Sequence, residues 1–137
     1  MLTIQRVATV SGAIFIAIGL IAFTPVSMPF MQMGAGGAGP MLLGVFPVNA
    51  LHNVVHMLFG VWGVLAGRSA SRATIYALGS GAAYLLLGVL GLFTDSLLGI
   101  VPIGGYDVVL HLVLAVCLAG FGFWAMWFTP QRVPVRA

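Results

Sequence analysis

Four long apolar stretches, separated by shorter segments rich in glycine, proline and polar residues, dominate the chain. They cover about residues 4–23, 49–67, 71–93 and 106–128. Each is close to the roughly 20 residues that a helix needs to cross the hydrocarbon core of a membrane. Barrel strands would alternate polar and apolar residues, and these stretches do not. The pattern predicts an all-α membrane protein whose four transmembrane helices form a single domain over residues 1–137.

The composition agrees with this prediction and excludes other classes of protein. Of 137 residues, 61% are hydrophobic and only 5% are charged, and the mean hydropathy is +1.17. A soluble domain would need more charged side chains on its surface. The net charge of +3 is too small for a nucleic-acid surface. Cys117 is the single cysteine, so an intrachain disulfide and a cysteine-based metal cluster are both excluded.

The charged residues predict the orientation of the helices. With four spans, all five arginines fall on one side of the membrane and both aspartates on the other; these are Arg6, Arg68, Arg72, Arg132 and Arg136 against Asp95 and Asp107. The positive-inside rule places the arginines in the cytoplasm. We therefore expect a multi-pass protein of the bacterial inner membrane with both termini inside. A cleaved signal peptide beginning near Arg6 is an alternative, but the first apolar run is longer than a typical signal core.

An internal repeat relates the second predicted helix to the fourth. Residues 42–56 align without gaps on residues 97–111, which is an offset of 55, and His56 falls on His111. More weakly, residues 12–19 resemble residues 81–88, at an offset of 69. Each repeat would consist of a helix, an outer loop and a helix. Because both copies start on the same side, we expect parallel repeats related by an axis along the membrane normal.

The residues that could carry chemistry lie near the outer ends of the second and fourth helices. His52 and His56, like Asp107 and His111, are spaced i, i+4, so each pair lies on one face of its helix. The repeat places His56 opposite His111 at equal depth. Together the four side chains are a plausible ligand set for zinc, iron or copper. His52 is expected to matter less than His56, because it is nearer water.

The same residues are also compatible with simpler roles. Asp107 is explained by the favourable position of a carboxylate in the first turn of a helix, and Asn49 by N-capping. His56 and His111 are harder to dismiss, since ionisable residues within a span usually face a partner or a cavity. They could form a structural hydrogen-bond network, ligate haem from two helices, or serve a proton or quinone site. Methionines of the first outer loop also suit Cu(I), although they are more simply flexible apolar contacts; they are Met28, Met31, Met33 and Met41.

The segment Pro47-x-Asn49-x-x-His52-Asn53-x-x-His56, with the Asp107-x-x-x-His111 pair, resembles a bacterial family of small four-helix membrane proteins catalogued only as a domain of unknown function. The resemblance covers most of the chain and implies the topology, but it supplies no mechanism. In architecture alone the chain is also similar to DoxX-type four-helix proteins, some of which are associated with quinone-linked oxidation.

These observations favour an integral membrane protein without catalytic motifs. We expect an accessory subunit of a membrane complex or a homo-oligomer, embedded in the lipid bilayer, with a histidine-rich site at the outer face. The competing hypothesis is a redox protein that binds a metal, haem or quinone through His56 and His111.

Overall fold

The computed structural model describes residues 3–24, the backbone of 31–33, and residues 40–128. Several features of the sequence lie outside the described residues, namely Met28, the glycine-rich tract 34–39, Arg132 and Arg136.

Four helices make up most of the described chain: α1 (Ile4–Ile21), α2 (Ala50–Ala66), α3 (Ala70–Gly91) and α4 (Tyr106–Phe128). The first three begin at an N-cap side chain, since Thr3, Asn49 and Ser69 each accept a hydrogen bond from a backbone N–H three residues later. The predicted all-α class with four helices is confirmed. By length and composition α1, α3 and α4 can each span a membrane, whereas α2 is a shorter apolar helix of 17 residues.

Short antiparallel strands, which the sequence pattern did not predict, occupy the loops before α2 and α4. Strands β1 (Met31–Met33), β2 (Pro40–Leu42) and β3 (Phe46–Pro47) form one sheet, and β4 (Ser96–Leu97) pairs with β5 (Val101–Pro102). Strands of two or three residues are too short to produce a readable alternation of polar and apolar positions.

The two hairpins turn in the same unusual way. Leu43 and Leu98 have φ angles of 56° and 53°, and each is followed by a glycine at 71° or 74°. A left-handed backbone is uncommon for leucine, so its recurrence at an offset of 55 residues agrees with the predicted repeat.

Glycines set the packing within the helix pairs α1–α2 and α3–α4. A Cβ at Gly12 would lie 2.6 Å from the backbone nitrogen of Val64, and one at Gly81 would lie 2.8 Å from that of Ala119. The helices can approach this closely only without side chains at these positions. Two further contacts are related in the same way, Gly19 with Met57 and Gly88 with Leu112. The glycines are 69 residues apart and their partners 55 residues apart, which are the two offsets of the predicted repeat. These contacts agree with the two-repeat architecture, which, with its axis and the cytoplasmic location of the termini, stays a prediction.

Consecutive helices run antiparallel, so the starts of α2 and α4 lie at one end of the bundle and the starts of α1 and α3 at the other. We call the end where α2 and α4 begin the histidine end, and the end where α1 and α3 begin the arginine end. At the arginine end Gly67 lies beside Gln5 and Thr9, which brings the α2–α3 loop next to the start of α1. Small residues and tyrosines fill the interior, whereas large apolar side chains cover the outside.

Candidate functional site

Asn49 fixes the start of α2 against the β4–β5 hairpin. Its Oδ1 accepts a hydrogen bond of 2.8 Å from the backbone nitrogen of His52, as the predicted N-cap would. Its Nδ2 donates to the carbonyl of Ile100 over 2.6 Å. One side chain therefore both begins the helix that carries two histidines and holds the loop that precedes α4.

His52 and His56 form the central contact of the site. Their rings stack 4.7 Å apart at an interplanar angle of 10°, and their Nε2 atoms lie 2.9 Å from each other. The Nδ1 of His52 lies 3.1 Å from the carbonyl oxygen of Pro102. A nitrogen–nitrogen distance of this length is that of a hydrogen bond, in which only one of the two atoms carries the proton.

The hydrogen-bond partners assign the tautomers of both neutral rings. A carbonyl only accepts, so the Nδ1 of His52 must donate to Pro102, which leaves its Nε2 as an acceptor. His56 must then donate from Nε2, and its Nδ1 has no proton. That Nδ1 is buried without a hydrogen-bond partner in the part of the chain that is described. The site therefore contains a free nitrogen lone pair in a buried position.

Asp107 and His111 form the second pair, on the first turns of α4. The Oδ2 of Asp107 lies 3.3 Å from the Nδ1 of His111, and both side chains are buried. Neither atom has a well-oriented hydrogen bond among the described residues. Asp107 does lie in the first turn, as predicted. Asp107 is, however, only 2% exposed, and its carboxylate faces a histidine. Its position in the first turn therefore does not by itself account for it.

The structure brings the four predicted residues together at the histidine end. The described ring contact to His111 comes from His52, with centroids 6.3 Å apart, rather than from His56. Both rings are buried, with His52 5% and His56 9% exposed, and the expectation that His52 lies nearer water stays a prediction. The β4–β5 hairpin contributes to the burial of His52, because it brings the Pro102 carbonyl to its ring. Asn53, which follows His52 in α2, is buried as well.

Aromatic side chains outside the predicted ligand set complete the surroundings. Tyr84 of α3 stacks on His111 with centroids 5.5 Å apart, and Phe15 of α1 meets His56 edge-on at the same distance. Phe15 and Tyr84 also contact each other. All four helices therefore contribute to the site. The sequence signal for Tyr84 was its polar hydroxyl in the otherwise apolar second half of α3.

A small cavity adjoins the cluster. Its volume is about 30 Å³, enough for one or two water molecules. A haem or a quinone would need far more space, so the helices would have to separate to admit either. The cavity is lined by His52, Val55, His56, Phe59, Tyr84, Leu87, Val101, Ile103 and His111.

Between His52 and His56 the geometry is that of a hydrogen bond. Two imidazole nitrogens bound to one tetrahedral zinc would lie about 3.3 Å apart, farther than the 2.9 Å between His52 and His56. Among the described residues, no group of three or more histidine, cysteine or acidic side chains is arranged to hold a metal ion. Of the loop methionines proposed for Cu(I), Met28 and the side chains of Met31 and Met33 lie outside the described part.

Four apolar helices with large apolar side chains on the outside and polar groups enclosed within define an integral membrane protein. Residues 5–124 match the family model of a domain of unknown function, DUF4383, and the chain belongs to that family. The resemblance inferred from the sequence is thereby confirmed. Searches of curated proteins and of solved structures gave no match.

Proposed function

We propose that in this integral membrane protein, which carries no evident catalytic motif, the cluster of His52, His56, Asp107 and His111 binds a proton at the histidine end. The observation that carries the proposal is the unprotonated Nδ1 of His56, which is buried without a partner among the described residues. A proton taken up there would be stabilised by the carboxylate of Asp107 in the same cluster. In water a histidine titrates near neutral pH, which makes an imidazole pair suited to reversible proton binding.

The protein would bind the proton as an accessory subunit of a larger membrane complex or as a homo-oligomer. Large apolar residues on the outer faces support such an assembly, and Gly120 of α4 leaves open space beside it. Small residues on an exposed helix face favour close contact with another helix in a membrane. Native electrophoresis of gently solubilised membranes distinguishes the two assemblies by the mass of the particle that contains this chain.

The proposed orientation places the histidine end outside and both termini in the cytoplasm of a bacterial cell. Three arginines support it, because Arg6, Arg68 and Arg72 lie at the arginine end, whereas Asp95 and Asp107 lie at the opposite end. An excess of arginine marks the cytoplasmic side.

Nitrogen NMR of protein labelled with ¹⁵N-histidine in lipid nanodiscs tests the proton site. At neutral pH we expect one ring nitrogen of His56 to be unprotonated and to gain a proton on acidification. The variants His52→Gln, His56→Gln and His111→Gln assign the signals, and Leu58→Ala, on the exposed face of the same helix, is the control for general perturbation. Finding the Nδ1 of His56 already protonated at neutral pH, or unchanged by acid, would refute the proposal.

Metal binding is the second candidate function, and a specific observation favours it. Three potential ligand atoms are buried without hydrogen-bond partners in the described chain, namely His56 Nδ1, Asp107 Oδ2 and His111 Nδ1. The described side chains are not arranged to hold one ion together, so the rings would have to reorient on binding. If they bind a metal, replacing either His56 or His111 by alanine should remove it, and replacing both should do no further damage. Elemental analysis and absorbance spectra of the purified protein measure this outcome directly.

A further inference from the structure

A row of buried hydroxyl groups continues from the histidine cluster into the bundle. Tyr84, Ser80 and Tyr76 lie on α3 at intervals of four residues, so they share one face. That face points into the core, since the three residues are 3%, 0% and 0% exposed. Polar groups inside a span are costly, and their alignment in one row calls for a functional explanation.

The row begins in contact with the histidine cluster. Tyr84 stacks on His111 and lines the cavity that also borders His52 and His56. Each step of four residues along α3 corresponds to a rise of about 6 Å. From Tyr84 to Tyr76 the row therefore covers about 12 Å of helix length. The Oγ of Ser80, in the middle, is buried and has no well-oriented hydrogen bond among the described residues, and the Tyr76 hydroxyl is its neighbour.

The row continues to α1 near the arginine end. The hydroxyls of Tyr76 and Ser11 lie 3.2 Å apart, within hydrogen-bond distance. The Tyr76 ring reaches this point over Gly63, where a Cβ would lie 2.8 Å from its Cζ atom. From Gly63 the arginine end at Gly67 is one helical turn away, a rise of about 6 Å. Ala8, Ala66 and Ala73 are buried along that last turn, together with the larger side chain of Ile4.

We propose that Tyr84, Ser80, Tyr76 and Ser11 form a proton-transfer path from the histidine cluster toward the arginine end. The path rests on the proposed function for its entrance, because the cluster supplies the proton. At each hydroxyl the oxygen accepts a proton from one neighbour and releases its own proton to the next, so no residue changes its net charge. The proposed path includes water molecules between hydroxyls that are not in direct contact, and no oxidant or reductant takes part.

Proton flux into proteoliposomes tests this path. Purified protein is reconstituted in vesicles that contain a pH-sensitive dye, and a potassium gradient with valinomycin drives proton entry. We expect the wild-type protein to carry flux above that of protein-free vesicles. Tyr76→Phe, Ser80→Ala and Tyr84→Phe each remove one hydroxyl and keep the packing nearly intact, and each should lower the flux by about tenfold, because one relay hydrogen bond is lost.

Matched controls make the same chemical changes outside the row. Tyr106→Phe removes a hydroxyl from a residue that is 65% exposed, and Ser71→Ala removes one from an exposed serine; both should keep wild-type flux. Melting curves and elution profiles show which variants are folded. Flux equal to that of protein-free vesicles, or flux that none of the three row variants lowers, would overturn the path.

The result of the flux assay can be distinguished from the result of the NMR titration that tests the proton site. The flux variants leave all three histidines unchanged, and the NMR titration of His56 does not require flux. If His56 fails to titrate while the tyrosine variants lower the flux, the cluster proposal and the entrance of the path fail, and the transfer of protons along the hydroxyl row stands.

Discussion

Replacing Asn49 by alanine should destabilise the protein more than the loss of an ordinary N-cap. The change removes the cap of α2, which is worth about 1 kcal/mol, and the hydrogen bond from Nδ2 to the Ile100 carbonyl, which adds about 1 kcal/mol. We therefore expect a loss of roughly 2 kcal/mol in the free energy of unfolding. At about 2–4 °C per kcal/mol for a chain near this size, the melting temperature should fall by about 4–8 °C.

Two variants separate the two contributions of Asn49. Ser69→Ala removes only the cap of α3 and should cost about 1 kcal/mol. Asn49→Asp keeps an oxygen that can cap α2 but removes the donor to Ile100, so its cost should resemble that of the lost hydrogen bond. Thermal unfolding of the purified protein in one detergent, followed by circular dichroism, measures all three variants. An Asn49→Ala variant no less stable than Ser69→Ala would refute the role of Asn49 in holding the β4–β5 hairpin.

Two more predictions concern packing and topology. Gly81→Ala should destabilise by about 1–3 kcal/mol because the new Cβ overlaps Ala119, whereas Gly120→Ala, which meets open space, should be neutral or stabilising; equal melting temperatures would contradict the close α3–α4 contact. In a chain without Cys117, a cysteine introduced at Gly36 should be labelled from outside the cell and one at Ala70 only from the cytoplasm, and the reverse pattern would contradict the orientation inferred from the arginines.

Local features of the structure followed from neighbouring residues and were predictable. The ends of α2 are an example: Asn49 caps its start and the helix closes at Gly67, both within the predicted stretch. The α1 helix ends at Ile21, two residues before the apolar run does, because apolar character does not by itself mark where backbone hydrogen bonding stops. Spacing alone also placed His52 with His56 on one face.

The contacts between distant segments depended on the tertiary fold. The β4–β5 hairpin brings Pro102 to His52, which buries a histidine that its position near the end of a helix had marked as close to water. Tyr84 reaches His111 because α3 and α4 pack closely at glycines such as Gly88. Nothing in the local sequence of either helix specifies these distances.

The membrane class, the four helices and the candidate histidines were all predictable from the order of the residues, since they depend on hydrophobicity and on the 3.6-residue period of a helix. Which nitrogen donates, which lone pair is left free, and how the hydroxyls of α3 align beneath the cluster emerged only from the folded bundle. Those properties depend on distances of about 3 Å between atoms of different segments, and such distances are set by close packing of the whole bundle.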